Sequence, residues 1–172
     1  MRTPARFLPY LLGPCLALAL TACAPAPIYK VAPGTIAAAP FQVAQSPEHF
    51  ANGNVIWGGR VIGVQNFADH TEIQVLTYPL DSSQRPQVSN PASGRFIAVV
   101  PGYVESFNYP GGALITIAGQ LTGSRAGKVD QADYVYPLVS VAQSHVWTQQ
   151  EMTNGMSNVH FGVGVGVGVG IR

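Results

Sequence analysis

The fold class follows from the stretch VIWGGRVIGVQNFADHTEIQVLTY, residues 55–78. Its first half, which ends at Phe67, is rich in Val, Ile and aromatic side chains and therefore predicts a strand. The three glycines inside that half mark a bulge or a bend. In the second half apolar and polar residues alternate, so that Ile73 faces one way while Glu72 and Gln74 face the other. This alternation is typical of a half-buried antiparallel strand.

Three further segments of strand composition follow: Arg95 to Val100, Ala113 to Thr122 and Tyr134 to Trp147. Pro137 inside the last of them predicts a bulge or a free edge. Between the last two, Gly123 to Gly127 is expected to turn the chain, with the neighbouring cationic side chains extending into solvent. Five strands in about 95 residues, without a strong amphipathic helix, predict an all-β fold.

Glycine bends in the first strand favour a small five-stranded, partly open barrel of the oligonucleotide- and oligosaccharide-binding (OB) type. A two-sheet sandwich is the alternative architecture. The helix that usually separates the third and fourth strands of an OB barrel falls in residues 101–112. That stretch is so rich in Gly and Pro that we expect no more than one helical turn there.

The first 23 residues, MRTPARFLPYLLGPCLALALTAC, predict an exported lipoprotein precursor. Two arginines form a basic start, and Phe7 to Leu20 is an uncharged run of 14 residues, shorter than the roughly 20 that a spanning helix needs. The run ends in Leu-Thr-Ala-Cys, which is the lipobox pattern of an aliphatic residue, two small residues and a cysteine. We therefore expect residues 1–22 to be a signal peptide, cleaved between Ala22 and Cys23. Cys23 would then carry a diacylglycerol and an N-acyl chain, and no other cofactor is expected.

Composition excludes several classes of protein. The chain has 172 residues, enough for one domain, and it is 47% hydrophobic and only 10% charged, which argues against disorder. Seven basic and eight acidic residues remain after the signal peptide, a side-chain sum of −1, so nucleic acid is not an expected partner. Both cysteines lie in the first 23 residues, so no disulfide is expected within the mature monomer.

The mature chain divides into three parts. Residues 23–47 are rich in Pro and Ala and predict a lipidated tether, which at about 3.1 Å per residue would reach roughly 75 Å from the membrane. Residues 48–148 form the barrel domain, and residues 149–172 end in Gly-Val alternation. We interpret that ending as a low-complexity tail, with an assembly strand or a membrane-contacting segment as alternatives. Ala24 after the cysteine, where Asp would retain the protein at the inner membrane, favours the outer membrane.

Several segments of the barrel domain together resemble one family. The most specific are WGGRVIGVQN (57–66), TEIQVLTYPLDSSQRPQ (71–87) and GRFIAVV (94–100). In order and spacing they resemble the Slp family, the starvation-inducible outer membrane lipoproteins of Gram-negative bacteria, over about residues 48–148. The resemblance implies lipid attachment at Cys23, an outer membrane location and a stress or stationary-phase setting, and it implies no known reaction.

Residues that would carry catalysis or hold a metal are sparse. The four histidines are scattered, no G-x-S-x-G or H-E-x-x-H motif is present, and the one mature cysteine is the expected lipid site. We therefore assign no catalytic residue and no metal site. An envelope hydrolase that uses scattered His and carboxylates remains the alternative class.

A candidate ligand rim comes from the two long loops, with Arg85 in the first and Tyr103, Phe107 and Tyr109 in the second. Arg85 can hydrogen-bond a carboxylate or hydroxyl, and the aromatic rings can stack on an apolar face. The alternatives are a surface ion pair between Asp81 and Arg85 and aromatic side chains that plug one end of the barrel.

The sequence thus predicts a non-enzymatic binding or scaffolding module, anchored by its acyl chains to outer membrane lipid and facing the periplasm. Its expected partner is a glycan, a peptidoglycan strand or an envelope protein. An interaction protein that assembles through the Gly-Val tail is a further alternative.

Overall fold

Five strands carry the fold of this computed structural model, which describes residues 26–154; Ala22, Cys23 and the Gly-Val repeat lie outside them. The strands are β1 (Asn54–Asn66), β2 (His70–Tyr78), β3 (Arg95–Pro101), β4 (Leu114–Val129) and β5 (Ala132–Trp147). Two short helices, α1 (Pro40–Gln45) and α2 (Gln149–Asn154), flank them, and 3₁₀ turns occupy Pro47–Phe50 and Ser106–Asn108. No helix in the described range is long and apolar enough to cross a membrane.

The strands close into a barrel in the order β1-β2-β3-β5-β4, with β4 pairing back onto β1. All neighbours are antiparallel except β3 and β5, which pair in parallel from Ile97 opposite Leu138 to Val99 opposite Ser140. The all-β prediction and the five strands are confirmed. The barrel is closed rather than partly open or a sandwich, because β5 is long enough to pair with both β4 and β3.

The predicted glycine bend lies in β1. Residues 54–60 of β1 pair with β4, and residues 58–66 pair with β2. The register between β1 and β2 shifts between Val61 and Gly63. A Cβ atom on Gly59 would lie 1.9 Å from the backbone oxygen of Leu76, so only glycine permits this approach of β1 to β2. The bend lets one strand serve two neighbours at different angles, as barrel closure requires.

The hairpin between β4 and β5 differs from the prediction. The expected turn at Gly123 to Gly127 is wrong, since β4 continues to Val129 and the turn is Asp130-Gln131. Gly123 has φ +148° and sits at a register shift, so it bends the strand without ending it. The single 3₁₀ turn at Ser106–Asn108 confirms that residues 101–112 hold no more than one helical turn.

Inward-facing side chains of all five strands form the core. Ile73, Val75 and Phe96 are fully buried, and Trp57 packs edge-on against Phe96 with ring centroids 5.3 Å apart. Val43 belongs to this core and lies in α1, whose Phe41 N–H donates to the Ser93 carbonyl just before β3; Tyr109 belongs to it too and bonds Ser144 near the end of β5, the parallel neighbour of β3. The two residues therefore plug opposite ends of the barrel.

The segment expected to be a free tether packs on the barrel from Tyr29 onward. Tyr29 and Val43 are buried, Ile36 forms a bridge to Val55, and the carbonyl of Ala38 accepts a hydrogen bond from the Trp57 indole at 3.0 Å. The apolar residues between the prolines explain the difference, because burying an apolar side chain against the barrel has a lower free energy than leaving it exposed to water in an extended chain. In the same way α2 begins the predicted tail as an ordered helix, in which Glu151 is buried.

Candidate ligand-binding cleft

A cleft of about 400 Å³ lies on the outer face of β2 and β3, beneath the overhanging β4–β5 hairpin. Alternation along β2 places Ile73 and Val75 in the core and turns Glu72 and Gln74 outward. The extended hairpin brings its own polar residues over them because β4 does not turn at Gly123. The polar side chains that line the cleft are Gln65, Glu72, Gln74, Arg125, Lys128 and Tyr136.

An ion pair spans this cleft from β2 to β4. Arg125 Nη2 lies 2.6 Å from Glu72 Oε2, and the arginine side chain remains 45% exposed while the glutamate is 14% exposed. Beside it, the amide of Gln74 donates to the Tyr136 hydroxyl at 3.0 Å, and that hydroxyl donates to the Lys128 carbonyl at 2.8 Å. Donors and acceptors thus stand at fixed positions along one wall.

Two further side chains extend the polar line at the start of β2. His70 Nδ1 lies 2.6 Å from Asp69 Oδ1, and His70 Nε2 lies 3.3 Å from Glu72 Oε1. The hydrogen bond to Asp69 raises the pKa of His70 above its ordinary value, and Glu72 adds to the shift. The same hydrogen bond lowers the pKa of Asp69. The line therefore ends in an imidazole held in its charged form to a higher pH than usual.

The floor of the cleft is apolar. Ile97 on β3 and Val64 on β1 line it, together with the ring of Tyr136. A Cβ atom on Gly127 would lie only 3.0 Å from Tyr136 Cε2, so the hairpin backbone rests directly on that ring. The lining of the cleft is thus mainly polar, with a smaller apolar part.

Arg85 of the predicted rim is used elsewhere. Its Nε lies 2.9 Å from Asp81 Oδ2, and its Nη1 donates to the Glu151 carbonyl at 3.2 Å. The backbone N–H groups of Ser83 and Arg85 both donate to Asp81 Oδ1 at 2.9 Å. This is the turn-forming aspartate and ion pair of the alternative interpretation, and it ties the loop of residues 79–94 to α2.

The three aromatic residues of the predicted rim do not form one surface. Tyr109 is 6% exposed, belongs to the core and shares a 2.9 Å hydrogen bond with Ser144 Oγ. Tyr103 and Phe107 are 66% and 75% exposed. None of the four rim residues lines the cleft. The outward polar pair on β2 and the cations of the hairpin were the sequence signals for the cleft, but the predicted turn concealed how they meet.

A histidine–carboxylate pair that would suit a hydrolase lies beside the loop of residues 79–94. His145 Nε2 is 3.2 Å from Glu151 Oε1, without hydrogen-bond geometry, and both side chains are largely buried. Glu151 Oε2 instead accepts from the N–H and hydroxyl of Thr148 at 2.7 and 2.8 Å, as in a capping box at the start of α2. Among residues 26–154 no group of three or more His, Cys, Asp or Glu could hold a metal ion.

Comparison with known families settles the relationship. The family model described as the outer membrane lipoprotein Slp family matches residues 20–163. The chain belongs to the Slp family. The matched range covers the whole barrel and begins three residues before Cys23. Membership in the Slp family makes this an outer membrane lipoprotein, as the lipobox pattern and Ala24 led us to expect.

The chain is similar to proteins of Haemophilus influenzae and Escherichia coli. The chain is 40% identical over 92 residues to an uncharacterized protein of Haemophilus influenzae, covering 53% of this chain and 50% of that protein. It is 32% identical over 111 residues to the uncharacterized lipoprotein YeaY of Escherichia coli, covering 63% and 57%. It is 27% identical over 117 residues to the outer membrane protein Slp of Escherichia coli, covering 68% and 62%.

The matched parts thus span 50 to 62% of the length of these Slp relatives. No solved structure matches the chain.

Proposed function

We propose that this Slp-family protein is a non-enzymatic binding module, held by acyl chains on Cys23 at the periplasmic face of the outer membrane, in stress or stationary phase. The cleft between β2, β3 and the β4–β5 hairpin is its ligand site. Two features support a binding role. The cleft lies on the strand 2–3 face that OB-type barrels use for oligosaccharides, and Glu151, the carboxylate beside His145, is used to cap α2.

The charge of the cleft favours a neutral or zwitterionic ligand. Glu72 pairs with Arg125, and Lys128 Nζ lies 3.4 Å from Asp133 Oδ1, so the cations of the hairpin are balanced by carboxylates. Recognition of nucleic acid relies on clustered, unbalanced Lys and Arg. A peptidoglycan fragment, which carries sugar hydroxyls, amides and both charge signs, matches the mixture of donors and acceptors here.

The proposal is tested by titrating soluble peptidoglycan fragments into the full mature protein in detergent, by calorimetry. Gln74→Ala removes an amide on the cleft wall, and we expect binding to weaken by about fivefold, the value of one hydrogen bond. Gln143→Ala on the exposed side of β5 is the matched control and leaves binding unchanged. Equal affinity of both variants, or no binding by the unaltered protein, contradicts the proposal.

A further inference from the structure

Tyr29 fixes the N-terminal segment to the barrel. Its N–H donates to Gln84 Oε1 at 2.8 Å, and its carbonyl accepts from Gln84 Nε2 at 3.0 Å. Its ring is buried, and its hydroxyl lies 3.4 Å from the Thr116 carbonyl on β4. Both backbone polar groups of Tyr29 are thus held by a single buried glutamine amide.

Gln84 is itself held from below. Its carbonyl accepts from the Thr116 hydroxyl at 2.7 Å, and the same hydroxyl accepts from the Trp147 indole at 2.9 Å. Residues 79–94, here called the flap, therefore form a fixed cover over the outer face of β4. Burial, and then the nearby Tyr109, raise the pKa of Tyr29, so its hydroxyl stays neutral in this contact.

The distance from Tyr29 to the membrane is short. Cys23 precedes Tyr29 by six residues, and a fully extended chain gains at most about 3.6 Å per residue, or roughly 20 Å in total. The long tether expected from the Pro-rich sequence is reduced to this length, because the rest of it packs on the barrel. The lipid anchor would therefore hold the flap side of the barrel close to the bilayer.

The surface nearest this joint suits a lipid headgroup layer. Val31, two residues after Tyr29, is 65% exposed, and Val88, four residues after Gln84 in the flap, is 40% exposed. Lys30, which lies between Tyr29 and Val31 in the chain, adds an exposed positive charge. We call these three residues, with the flap around Val88, the flap surface. A few apolar side chains beside a basic one are typical of interfacial membrane contact.

The ligand-binding cleft lies at the other end of β4 from the Tyr29 joint. The part of β4 that lines the cleft, residues 125–128, is at least nine residues along the strand from Thr116, a separation of up to about 30 Å at roughly 3.3 Å per residue. The cleft occupies the β2–β3 face, while the Tyr29 joint occupies the β4 face at Thr116. A barrel held at the Thr116 end of β4 thus keeps the cleft, at the other end of that strand, away from the surface that holds it.

We propose that the flap surface rests on the lipid leaflet that holds the acyl chains of Cys23, so that the cleft faces the periplasm. This inference rests on the lipid attachment in the proposed function above. The exposed pair Tyr103 and Phe107 offers a second apolar patch. Glu105, which accepts a hydrogen bond from the Tyr103 hydroxyl at 3.2 Å, places an acidic group in that patch. An anionic leaflet favours the side that carries Lys30.

The sequence permits a clean labelling test. Cys23 is the one cysteine of the mature chain, and its sulfur would be acylated, so an introduced cysteine is the sole free thiol. The acylated full chain is reconstituted into vesicles of phosphatidylethanolamine and phosphatidylglycerol that contain a nitroxide lipid. An environment-sensitive fluorophore is attached in three separate variants: Val88→Cys on the flap, Phe107→Cys on the aromatic loop and Lys128→Cys at the cleft.

Interfacial side chains lie within about 5–10 Å of the headgroup boundary, so we expect the label at 88 to lose about half of its emission to the nitroxide. The label at 128 keeps its emission. Quenching at 107 or 128 without quenching at 88, or quenching at none of the three, overturns the inference. Mass spectrometry of the N-terminal peptide is done first: an unacylated Cys23 refutes the proposed anchor itself, whereas an acylated protein with an unquenched label at 88 refutes the orientation alone.

Discussion

At the scale of single residues, the buried Tyr109 and the exposed Phe107 are expected to differ in their contribution to stability. Tyr109→Ala removes a core ring that plugs the barrel end and the hydroxyl that bonds Ser144, so we expect a loss of about 3 kcal/mol in the free energy of unfolding. Phe107→Ala removes a ring that is 75% exposed, and the change stays within about 0.5 kcal/mol. Urea unfolding of the two variants measures both values. Similar losses would show that Phe107 packs as well.

The pair of His70 and Asp69 makes a prediction about pH. The hydrogen bond that His70 donates to Asp69 raises the folded pKa of His70, so the pair stabilises the fold fully below the unfolded pKa of about 6.5. That contribution is lost as pH rises through the higher folded pKa. An NMR titration of the imidazole is expected to give a pKa above 6.5, and Asp69→Asn lowers it. An unchanged titration in Asp69→Asn contradicts the assignment.

At the scale of elements, the bend of β1 depends on Gly59. Its missing Cβ would lie 1.9 Å from the Leu76 oxygen, so Gly59→Ala must push β1 away from β2 and is expected to cost about 3 kcal/mol. Gly63 in the same strand has no heavy atom within 4 Å of such a Cβ and is the matched control. The free energy of unfolding of Gly63→Ala should stay within about 0.5 kcal/mol of that of the unaltered protein. Equal losses in thermal or urea unfolding would place the constraint elsewhere.

Strands whose patterns are local were predictable, whereas features that depend on distant contacts were not. Alternation in β2 gave its bounds to within a residue, since one face must be buried. The predicted end of β4 is too early because Gly123 and Gly127 are local turn signals. In the fold, Gly123 lies at a bulge and Gly127 packs closely against Tyr136. The cleft was missed for the same reason: Arg125 and Glu72 are 53 residues apart and meet only once the hairpin extends over β2.

At the scale of the whole molecule, we expect the proposed lipid anchor at Cys23 to decide where the barrel resides. Cys23→Ala removes the thiol that would receive the diacylglycerol, so we expect the variant to leave the outer membrane fraction or to keep its signal peptide. Each buried methylene of an acyl chain contributes about 0.8 kcal/mol, so a single chain binds only marginally whereas several chains together give stable anchoring. Fractionation with mass spectrometry of the N-terminus measures this. A mature N-terminus at another residue would contradict the assignment of Cys23.

The binding role depends on one surface of the molecule, which NMR maps most directly. Soluble peptidoglycan fragments are titrated into the isotope-labelled full mature protein in detergent, and the shifts of its backbone amides are followed. The account predicts that shifts cluster at residues 72–74 of β2 and residues 125–128 of the hairpin, which line the cleft. Shifts that cluster instead around Arg85 and Phe107, or none at saturating ligand, would contradict it.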